Sequence, residues 1–390
     1  MNVLILNWRD PSHPAAGGAE GYLAEISRGF LANGHQVCWF CGRAPGQPAA
    51  SNADGLRIFR AGGTYGVYAR AALAYLRRFR GRVDLIVDGE NGIPFFSPFY
   101  SRVPRIVLVH HVHREVFEHQ LPWPLAQLGM WLEGRLMPFV YRRDWFVAVS
   151  ESTRRDLLEL GVSEDRLAVI HNGLDHERYR PASEKPDSRD SAPNVLWLGR
   201  LQRYKSLDTL LDAAALWHRP RPELRLRIAG EGPERSRLEE RVADLGLRER
   251  VEFLGFVEGE EKTRLLQQAD LVIQTSLKEG WGMTVIEANA CGTPVVASDV
   301  AGLRDSVRDR ETGMLVPWND ADALSQAVLS LLDSPETLET YGENAVRWAR
   351  RFDWRTSAER WLELAEARLV ADTIPQKLHS STPFLSGVAP

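Results

Sequence analysis

The stretch Ser276-Leu277-Lys278-Glu279-Gly280-Trp281-Gly282-Met283 separates an apolar run at 269–274 from a second apolar run that begins at Val285. The first run is short and continuous, which is typical of a buried strand, and the two glycines end any regular element after it. The second run fits a short helix that Gly292 and Pro294 stop. The stretch therefore predicts a strand, a glycine loop, a helix and the next strand.

Two glutamates flank the predicted start of that helix: Glu279 lies in the loop and Glu287 lies one turn into the helix. Open parallel α/β sheets bind ligands at the carboxyl ends of their strands. Free backbone N–H groups and the helix dipole favour phosphate at a helix N-terminus. The two carboxylates would suit a ligand that combines hydroxyl groups with phosphate, although a lone pair of glutamates is more often solvent-exposed.

The complete pattern closely resembles the signature of the retaining glycosyltransferases of family four. Its two glutamates are eight residues apart, within Glu-Gly-x-Gly, and Glu-Ala and Cys-Gly-x-Pro-Val follow. The resemblance extends from Gly17 to about Trp354. It implies an α/β fold of the GT-B type, in which two Rossmann-like domains place parallel sheets on either side of a central cleft. It also implies that Glu279 contacts the donor sugar and Glu287 binds the ribose. The residues that it adds to the donor site at the helix start are Gly282, Met283 and Thr284.

Apolar runs of strand length recur along the chain and alternate with helical patterns, which predicts parallel sheets. A polar segment with three prolines at 181–193 predicts a linker. We therefore expect an N-terminal Rossmann-like, acceptor-side domain at 1–180 and a C-terminal nucleotide-sugar-binding domain at 194–352. The resemblance implies that a helix at 353–371 crosses back to the N-terminal domain. The composition of 372–390 predicts a flexible tail.

Two cations follow the first predicted strand of the C-terminal domain. Arg200 ends that strand, and Lys205 is predicted to begin the next helix. The helix dipole alone contributes only about 0.3–1 kcal/mol, so fixed cations must supply most of the stabilisation of a departing diphosphate. The resemblance assigns this role to Arg200 and Lys205, which would otherwise be solvated surface cations. Gly199 and Gly230, each at a strand-to-helix turn, are assigned to the nucleotide.

The resemblance also assigns residues of the N-terminal half to the donor. Gly17 and Gly18 lie between the first strand and the first helix, where backbone N–H groups can approach a phosphate, unless the pair is a plain turn. His110, at the end of a strand, is assigned to the donor sugar; His111 is the alternative because the register is ambiguous by one residue. Ser150 is predicted to be a helix N-cap and to line the same site.

The sequence predicts neither a metal nor a cofactor. The histidines of His110-His111-Val112-His113 would suggest a metal, but no acid or cysteine at matched spacing completes a zinc site. Cys38 and Cys41 lie in a predicted strand, where side chains three apart face opposite ways. A dinucleotide cofactor would require a third glycine after Gly18 and an acid at the end of the second strand. A nucleoside diphosphate sugar is therefore expected as co-substrate.

Bulk composition excludes other classes of protein. The net charge of −4 gives no argument for nucleic acid. There is no apolar run long enough to span a bilayer and no signal-peptide pattern, so we expect a cytoplasmic protein. An apolar segment at 122–143 ends in Arg142 and Arg143. It can pack on the sheet or contact a membrane surface, which would place the protein at the inner face of the membrane.

The resemblance implies a retaining glycosyltransferase of the hexosyltransferase type, which moves a hexose or a derivative from a nucleoside diphosphate sugar to an acceptor hydroxyl. The acceptor is left open between a lipid-linked saccharide or other glycan, a glycolipid and a small-molecule aglycone. A sugar-nucleotide 2-epimerase on the same fold and a non-catalytic subunit are the alternatives. A non-catalytic subunit would not need to keep all four of Arg200, Lys205, Glu279 and Glu287.

Overall fold

The computed structural model describes residues 1–120, 122–182 and 193–373. Contacts divide the chain into two compact units: unit 1 comprises Met1–Gly173 and Trp354–Pro390, and unit 2 comprises Leu174–Asp353. Nearly all of the tail predicted at 372–390, and most of the linker predicted at 181–193, lie outside the described residues.

The helices and strands alternate along most of the chain. The strands are β1 (Asn2–Leu6), β2 (Gln36–Cys41), β3 (Ala50–Ala53), β4 (Leu56–Arg60), β5 (Leu85–Glu90), β6 (Arg105–Val109), β7 (Trp145–Ala148), β8 (Leu167–Val169), β9 (Asn194–Leu198), β10 (Arg225–Ala229), β11 (Val251–Gly255), β12 (Leu271–Gln274), β13 (Val295–Ser298) and β14 (Gly313–Val316). The helices are α1 (Gly18–Ala32), α2 (Gly63–Ala74), α3 (Arg114–Gln120), α4 (Trp123–Trp131), α5 (Met137–Val140), α6 (Glu151–Glu159), α7 (Leu207–Trp217), α8 (Arg235–Asp244), α9 (Gly259–Gln268), α10 (Met283–Ala290), α11 (Leu303–Ser306), α12 (Ala321–Leu332), α13 (Pro335–Ala349) and α14 (Trp354–Thr373).

Each unit is built on one sheet. The sheet of unit 1 has the order β3-β4-β2-β1-β5-β6-β7-β8, and that of unit 2 has the order β11-β10-β9-β12-β13-β14. All neighbouring strands pair in parallel except β3 and β4. The central strands are buried along their whole length, as in β6 and β12. Such continuous apolar strands are expected where helices cover both faces of a parallel sheet.

The strand order reverses once in each sheet. In unit 1 the chain runs from β1 outward to β2 and β4, and then returns to β5 on the other side of β1. In unit 2 it runs from β9 through β10 to β11, and then returns to β12 on the other side of β9. Ligands of open α/β sheets bind beyond the carboxyl ends of the strands at such a switch point. Ligands are therefore expected beyond the ends of β1 and β5 in unit 1 and beyond the ends of β9 and β12 in unit 2.

Two elements differ from the sequence-based predictions. β3 was not predicted, because its short Ala-Ser-Asn-Ala segment carries no apolar pattern. Lys205 does not begin a helix: it ends a 3₁₀ turn, Arg203–Lys205, and α7 starts at Leu207. Ser206 between them has φ 51°, a left-handed conformation that the interior of an α-helix does not admit.

The apolar segment at 122–143 is helical from Trp123 to Val140, and its buried side packs on the sheet, where Met137 joins the core cluster of Val107 and Phe146. A π-helical turn, Leu132–Leu136, lies between α4 and α5, and large apolar side chains there face solvent. Trp123 is 76% exposed, Trp131 53% and Phe139 64%. Among the residues described, no helix is both long enough and apolar enough to cross a bilayer.

Candidate functional site

Residues predicted from separate parts of the sequence converge at the switch point of unit 2. Arg200 follows β9, and the loop that carries Glu279 follows β12, the neighbouring strand. Since the two strands are parallel, both residues lie at the carboxyl edge of the sheet. This is the edge at which such sheets bind ligands.

Lys205 and Glu279 form an ion pair at this edge. Lys205 Nζ contacts Glu279 Oε1, and the two side chains are only 12% and 18% exposed. Ser276 Oγ donates to the same carboxylate oxygen at 2.6 Å. Glu279 thus keeps a second, neutral partner that would still hold it if Lys205 turned toward another anion.

The Lys205 ammonium stays charged in this setting. Burial disfavours its charge, but the charge of Glu279 and the contacts with Tyr204 and Glu279 outweigh burial, so the pKa of Lys205 lies above its ordinary value. The nearby charge of Arg200 opposes this rise in pKa, which shows that the two cations act on the same region. Arg200 itself is exposed and has no ion-pair partner within the described residues.

Backbone contacts join the two segments that carry this ion pair. The Leu277 N–H donates to the Tyr204 carbonyl at 2.8 Å, and Thr275 Oγ1 donates to the Lys205 carbonyl at 2.8 Å. The Glu279 N–H donates to the Ala301 carbonyl at 3.1 Å. These bonds position Lys205 and Glu279 through the backbone as well as through their charges.

Gly302 fits closely beneath Glu279. Its φ is +82°, and a Cβ at this position would lie 2.2 Å from the Glu279 carbonyl oxygen. Gly230 permits a similar approach at the ends of β9 and β10, because a Cβ there would lie 1.8 Å from the Gly199 carbonyl oxygen. Gly199 and Gly230 therefore shape the same edge of the sheet through their lack of side chains.

The start of α10 lies directly after the Glu279 loop. Gly282 is its N-cap, with φ 81°, and Met283 and Thr284 form the first turn, as the sequence predicted. No side chain caps this helix start. The first N–H groups of a helix have no partner inside the helix and can bind an anion.

Glu287, on α10, has a cation as its partner. Lys262 Nζ lies 2.7 Å from Oε1 and 2.6 Å from Oε2 of this buried carboxylate. The Tyr179 ring lies beside Lys262, with its centroid 5.7 Å from Nζ. Burial, and then the charge of Glu287, raise the pKa of the Tyr179 hydroxyl. The sequence analysis identified Glu287 but missed Lys262 and Tyr179.

The other predicted residues belong to unit 1. Gly17 and Gly18 lie at the start of α1, where the Gly17 N–H donates to Glu20 Oε2 at 2.7 Å. Glu20 is buried, so a phosphate at this turn would meet a carboxylate that already holds one of the N–H groups. Ser150 caps α6, as predicted, and accepts a hydrogen bond from the Thr153 N–H at 3.1 Å.

His110 directly follows β6 and is buried. Its ring meets Tyr22 edge-on at 5.5 Å, and its Nε2 has no hydrogen-bond partner in the described part of the chain. Burial, together with the charge of His113, lowers the pKa of His110 to about 4. The ring of His111 instead lies against His113, with centroids 4.1 Å apart. A neutral imidazole at position 110 can hydrogen-bond a hydroxyl group.

The residues that the sequence analysis missed are partners of the predicted ones: Ser276, Tyr204, Lys262 and Tyr179. Ser276 lies three residues before Glu279, and this Ser-x-x-Glu spacing could have indicated a hydrogen bond between the two side chains. Lys262 and Tyr179 lie on other elements, and no local spacing connects them to Glu287. The sequence marks Lys262 only as the one cation in the first turn of α9, next to Glu260 and Glu261.

Family comparisons cover most of the chain. Residues 179–348 match the family model described as "Glycosyl transferases group 1", and residues 16–178 match that of "Glycosyltransferase Family 4". The D-inositol 3-phosphate glycosyltransferase of Nocardia farcinica is 35% identical over 286 residues, which are 68% of this chain and 62% of that protein. The protein of the same name from Corynebacterium glutamicum is 30% identical over 295 residues, 70% of each chain. The match spans 62, 54 and 58% of the first three curated relatives, less than two thirds of their length.

Solved structures share the fold. Sucrose-phosphate synthase from Thermosynechococcus elongatus has a TM-score of 0.79 at 24% identity, covering 95% of this chain and 99% of that one. Anabaena Alr3699/HepE in complex with UDP and glucose has a TM-score of 0.74 at 22% identity, covering 94% and 100%. These likenesses confirm the predicted α/β architecture of two domains built on parallel sheets.

Proposed function

The chain belongs to the family-four, group 1 glycosyltransferases of GT-B fold, and we propose that it transfers a sugar from a nucleoside diphosphate sugar to an acceptor hydroxyl. The observation that carries this proposal is the Lys205–Glu279 ion pair at the switch point of unit 2. It offers a cation for a diphosphate and a carboxylate for sugar hydroxyls within one hydrogen-bonded cluster. The similar D-inositol 3-phosphate glycosyltransferases support the same reaction class.

In this proposal the diphosphate is bound by Arg200, Lys205 and the first N–H groups of α10. Lys205 leaves Glu279 for the diphosphate, which carries more negative charge than one carboxylate. Charge builds up on the diphosphate as the bond to the sugar breaks, so these donors stabilise the transition state more than the ground state. Glu279, still held by Ser276, then orients the sugar hydroxyls.

Glu287 binds the ribose hydroxyls in this proposal. A carboxylate accepts hydrogen bonds from two neighbouring hydroxyls, and such charge-assisted bonds are about twice as strong as neutral ones. Lys262 balances the charge of Glu287 and holds it in one orientation. For unit 1 we propose only the roles that the family resemblance assigns, which are donor contacts at the Gly17–Gly18 turn, His110 and Ser150.

We further propose retention of configuration at the anomeric carbon of the sugar. The acceptor hydroxyl attacks from the face that the diphosphate leaves, and the leaving phosphate takes its proton. Proton NMR of the first-formed product tests this step. A product with the anomeric configuration of the donor supports it, and an inverted product would overturn it.

The donor can be found by thermal-shift screening with UDP-, GDP-, ADP- and dTDP-sugars. We expect one nucleotide to raise the melting temperature and its sugar conjugates to be turned over. UDP is the first probe, since a solved structure of this fold contains UDP and glucose. Incubation of the preferred donor without acceptor is the control: a new epimer of the donor would replace the transferase proposal with a 2-epimerase.

We propose a glycolipid or lipid-linked saccharide as acceptor, reached from the membrane surface. The exposed Trp123, Trp131 and Phe139 lie in the same segment as the exposed Arg142 and Arg143. Aromatic side chains enter the interfacial region of a bilayer, and arginines are attracted to anionic lipids. Co-sedimentation with anionic vesicles should fall for Trp123→Ser/Trp131→Ser; unchanged binding, or none by the wild type, would favour a soluble acceptor.

A further inference from the structure

Three groups with metal-binding chemistry meet in unit 1, next to the loop that begins at His110. Glu90 ends β5, His113 lies in the loop between β6 and α3, and Glu133 lies in the turn between α4 and α5. One oxygen or nitrogen from each side chain lies within 4.8 Å of those of the other two. Because β5 borders the switch point of unit 1, the group lies at an edge where such sheets bind ligands.

Glu133 is fixed in this cluster by His113. The backbone N–H of His113 donates to Glu133 Oε1 at 2.7 Å and to Oε2 at 2.9 Å. The Nδ1 atom of the same residue lies 3.0 Å from Oε1. The imidazole also packs against the rings of Phe117 and His111, with centroids 5.7 and 4.1 Å away.

The buried, unpartnered carboxylate of Glu90 is the feature of this cluster that indicates a ligand. Its side chain is fully buried, at 0% exposure, and neither carboxylate oxygen makes a hydrogen bond of adequate geometry within the described chain. The Gly92 N–H is close enough to favour the charged form slightly. Burial and the charges of Glu133 and Asp88 outweigh it and raise the pKa of Glu90. A buried carboxylate without partners is costly, and native proteins normally pair it or bind it to a metal.

Two other buried charged residues of this sheet, Asp88 and Arg105, have partners of their own. Asp88, the next acid along β5, is satisfied by Ser97 at 2.5 Å and Tyr141 at 2.6 Å. The buried Arg105 pairs with Asp144. Glu133 therefore has His113 as its partner, whereas Glu90 has no side-chain hydrogen-bond partner among the described residues.

We propose that Glu90, His113 and Glu133 bind one divalent transition-metal ion, of which Zn²⁺ and Mn²⁺ are representatives. One imidazole nitrogen and two carboxylates form a donor set that suits these ions. Bonds of about 2.0–2.2 Å to neighbouring ligands place the ligand atoms roughly 3.0–3.5 Å apart, which is close to the spacing of His113 and Glu133. The ion neutralises both buried carboxylates.

The metal would join three segments that are distant in sequence. It ties the end of β5 to the loop after β6 and to the turn between α4 and α5. The loop after β6 begins at His110, and the turn between α4 and α5 adjoins the exposed aromatic side chains. We therefore assign the ion a structural role on the acceptor side, in contrast to the expectation of no metal drawn from sequence.

The test is metal content together with ligand-replaced variants of the full-length chain. The protein is stripped with a chelator, titrated with Zn²⁺ or Mn²⁺, and compared with Glu90→Gln and His113→Gln. We expect one equivalent per chain in the wild type and a loss of affinity of at least about tenfold in either variant. A melting temperature that falls on chelation in the wild type, but not in the variants, is the accompanying readout.

Controls separate this site from others. His35→Gln and Cys38→Ser, which replace residues outside the cluster, should bind the metal like the wild type. Co²⁺ gives a ligand-dependent absorption spectrum, which should change in His113→Gln even if Glu90→Gln fails to fold. Absence of stoichiometric binding would overturn the proposal in favour of a shared proton between Glu90 and Glu133. Binding unchanged in both cluster variants would overturn it in favour of another site.

Discussion

At the scale of single residues, the Lys205–Glu279 ion pair is where structure and proposed chemistry meet. Both charges are largely shielded from solvent, and Ser276 holds Glu279 independently of Lys205. Removing one partner of a buried pair leaves an uncompensated charge, at a cost of up to about 3–5 kcal/mol in stability. A functional test must therefore separate lost stability from lost catalysis.

A double-mutant cycle makes that separation. Lys205→Met and Glu279→Gln should each lower the free energy of unfolding, and the double variant should recover much of it because no buried charge is left alone. Turnover should fall about 10²–10³-fold in Lys205→Met and should not recover in the double variant. Urea denaturation and initial rates measure the two quantities. Recovery of turnover together with stability would show that the pair is only structural.

Glu287 gives a second prediction, which concerns the ribose. The wild type should bind the preferred nucleoside diphosphate more tightly than its 2′-deoxy analogue, because a charge-assisted hydrogen bond contributes about 1.5–3 kcal/mol. Glu287→Gln should lose most of this preference, as measured by isothermal titration. Glu261→Gln, which removes an exposed carboxylate of α9 and leaves both Glu287 and Lys262 in place, is the matched control and should retain it. Equal discrimination by wild type and Glu287→Gln would place the ribose elsewhere.

His110 gives a prediction about pH. An unfolded histidine titrates near 6.5, whereas burial lowers the pKa of His110 to about 4 in the folded chain. Below pH 6.5 the unfolded chain therefore binds a proton that the folded chain does not, and stability falls as pH falls from 6.5 toward 4. Between pH 6.5 and 5 this amounts to about 1.6 kcal/mol.

Urea denaturation at both pH values checks the prediction for His110. His110→Gln should show a smaller loss of stability between pH 6.5 and 5 than the wild type does. His13→Gln is the comparison: burial lowers the pKa of His13 as well, but its side chain is less buried, so it should change the pH dependence less. The same pH dependence in His110→Gln and wild type would refute the argument.

The sequence indicated the residues of the site better than it indicated their partners. Glu279, Glu287 and Lys205 stand out because short motifs surround them. Lys262 could not be connected with Glu287, because the two lie on α9 and α10 and meet only through packing. The same holds for Glu90 and Glu133, which are remote in sequence from His113.

At the scale of elements, the loops that follow the strands set the geometry of the candidate site, and glycines allow the close backbone approaches in these loops. Gly302 brings the start of α11 against the backbone of Glu279. The helices and strands were predicted from the spacing and length of their apolar runs, and most of them are present in the structure. The turn before α7 was missed because the left-handed Ser206 has no signature in composition. The π-helical stretch between α4 and α5 was missed because the apolar pattern continues through it.

Gly302→Ala tests the close approach beneath Glu279. A Cβ placed 2.2 Å from the Glu279 carbonyl oxygen, on a backbone with φ +82°, must displace that loop. Strain of this kind costs about 1–3 kcal/mol or more, and we expect the donor to bind more weakly as Glu279 moves. Gly21→Ala in α1, where a Cβ would meet nothing within 4 Å, should instead be neutral or stabilising. Similar unfolding free energies and donor affinities for the two variants would contradict this reading.

At the scale of the whole molecule, the candidate site residues Arg200 and Glu279 of unit 2 and Glu90 of unit 1 lie at strands that border the point where the strand order of the sheet reverses. Alternation of strands and helices predicted parallel sheets, but the strand order could not be predicted from the chain alone. That order depends on which helices pack on which face, and those contacts are distant in sequence. The family resemblance supplied what local pattern could not, and the family and structural comparisons confirm it.

The most direct test is an experimental structure of the chain with the nucleoside diphosphate that binds best in the donor screen. We predict diphosphate oxygens within about 2.7–3.2 Å of Lys205 Nζ and of the Arg200 guanidinium, with Lys205 released from Glu279. The ribose hydroxyls should lie on Glu287. A nucleotide bound away from the switch point of unit 2, with the Lys205–Glu279 ion pair intact, would contradict the account.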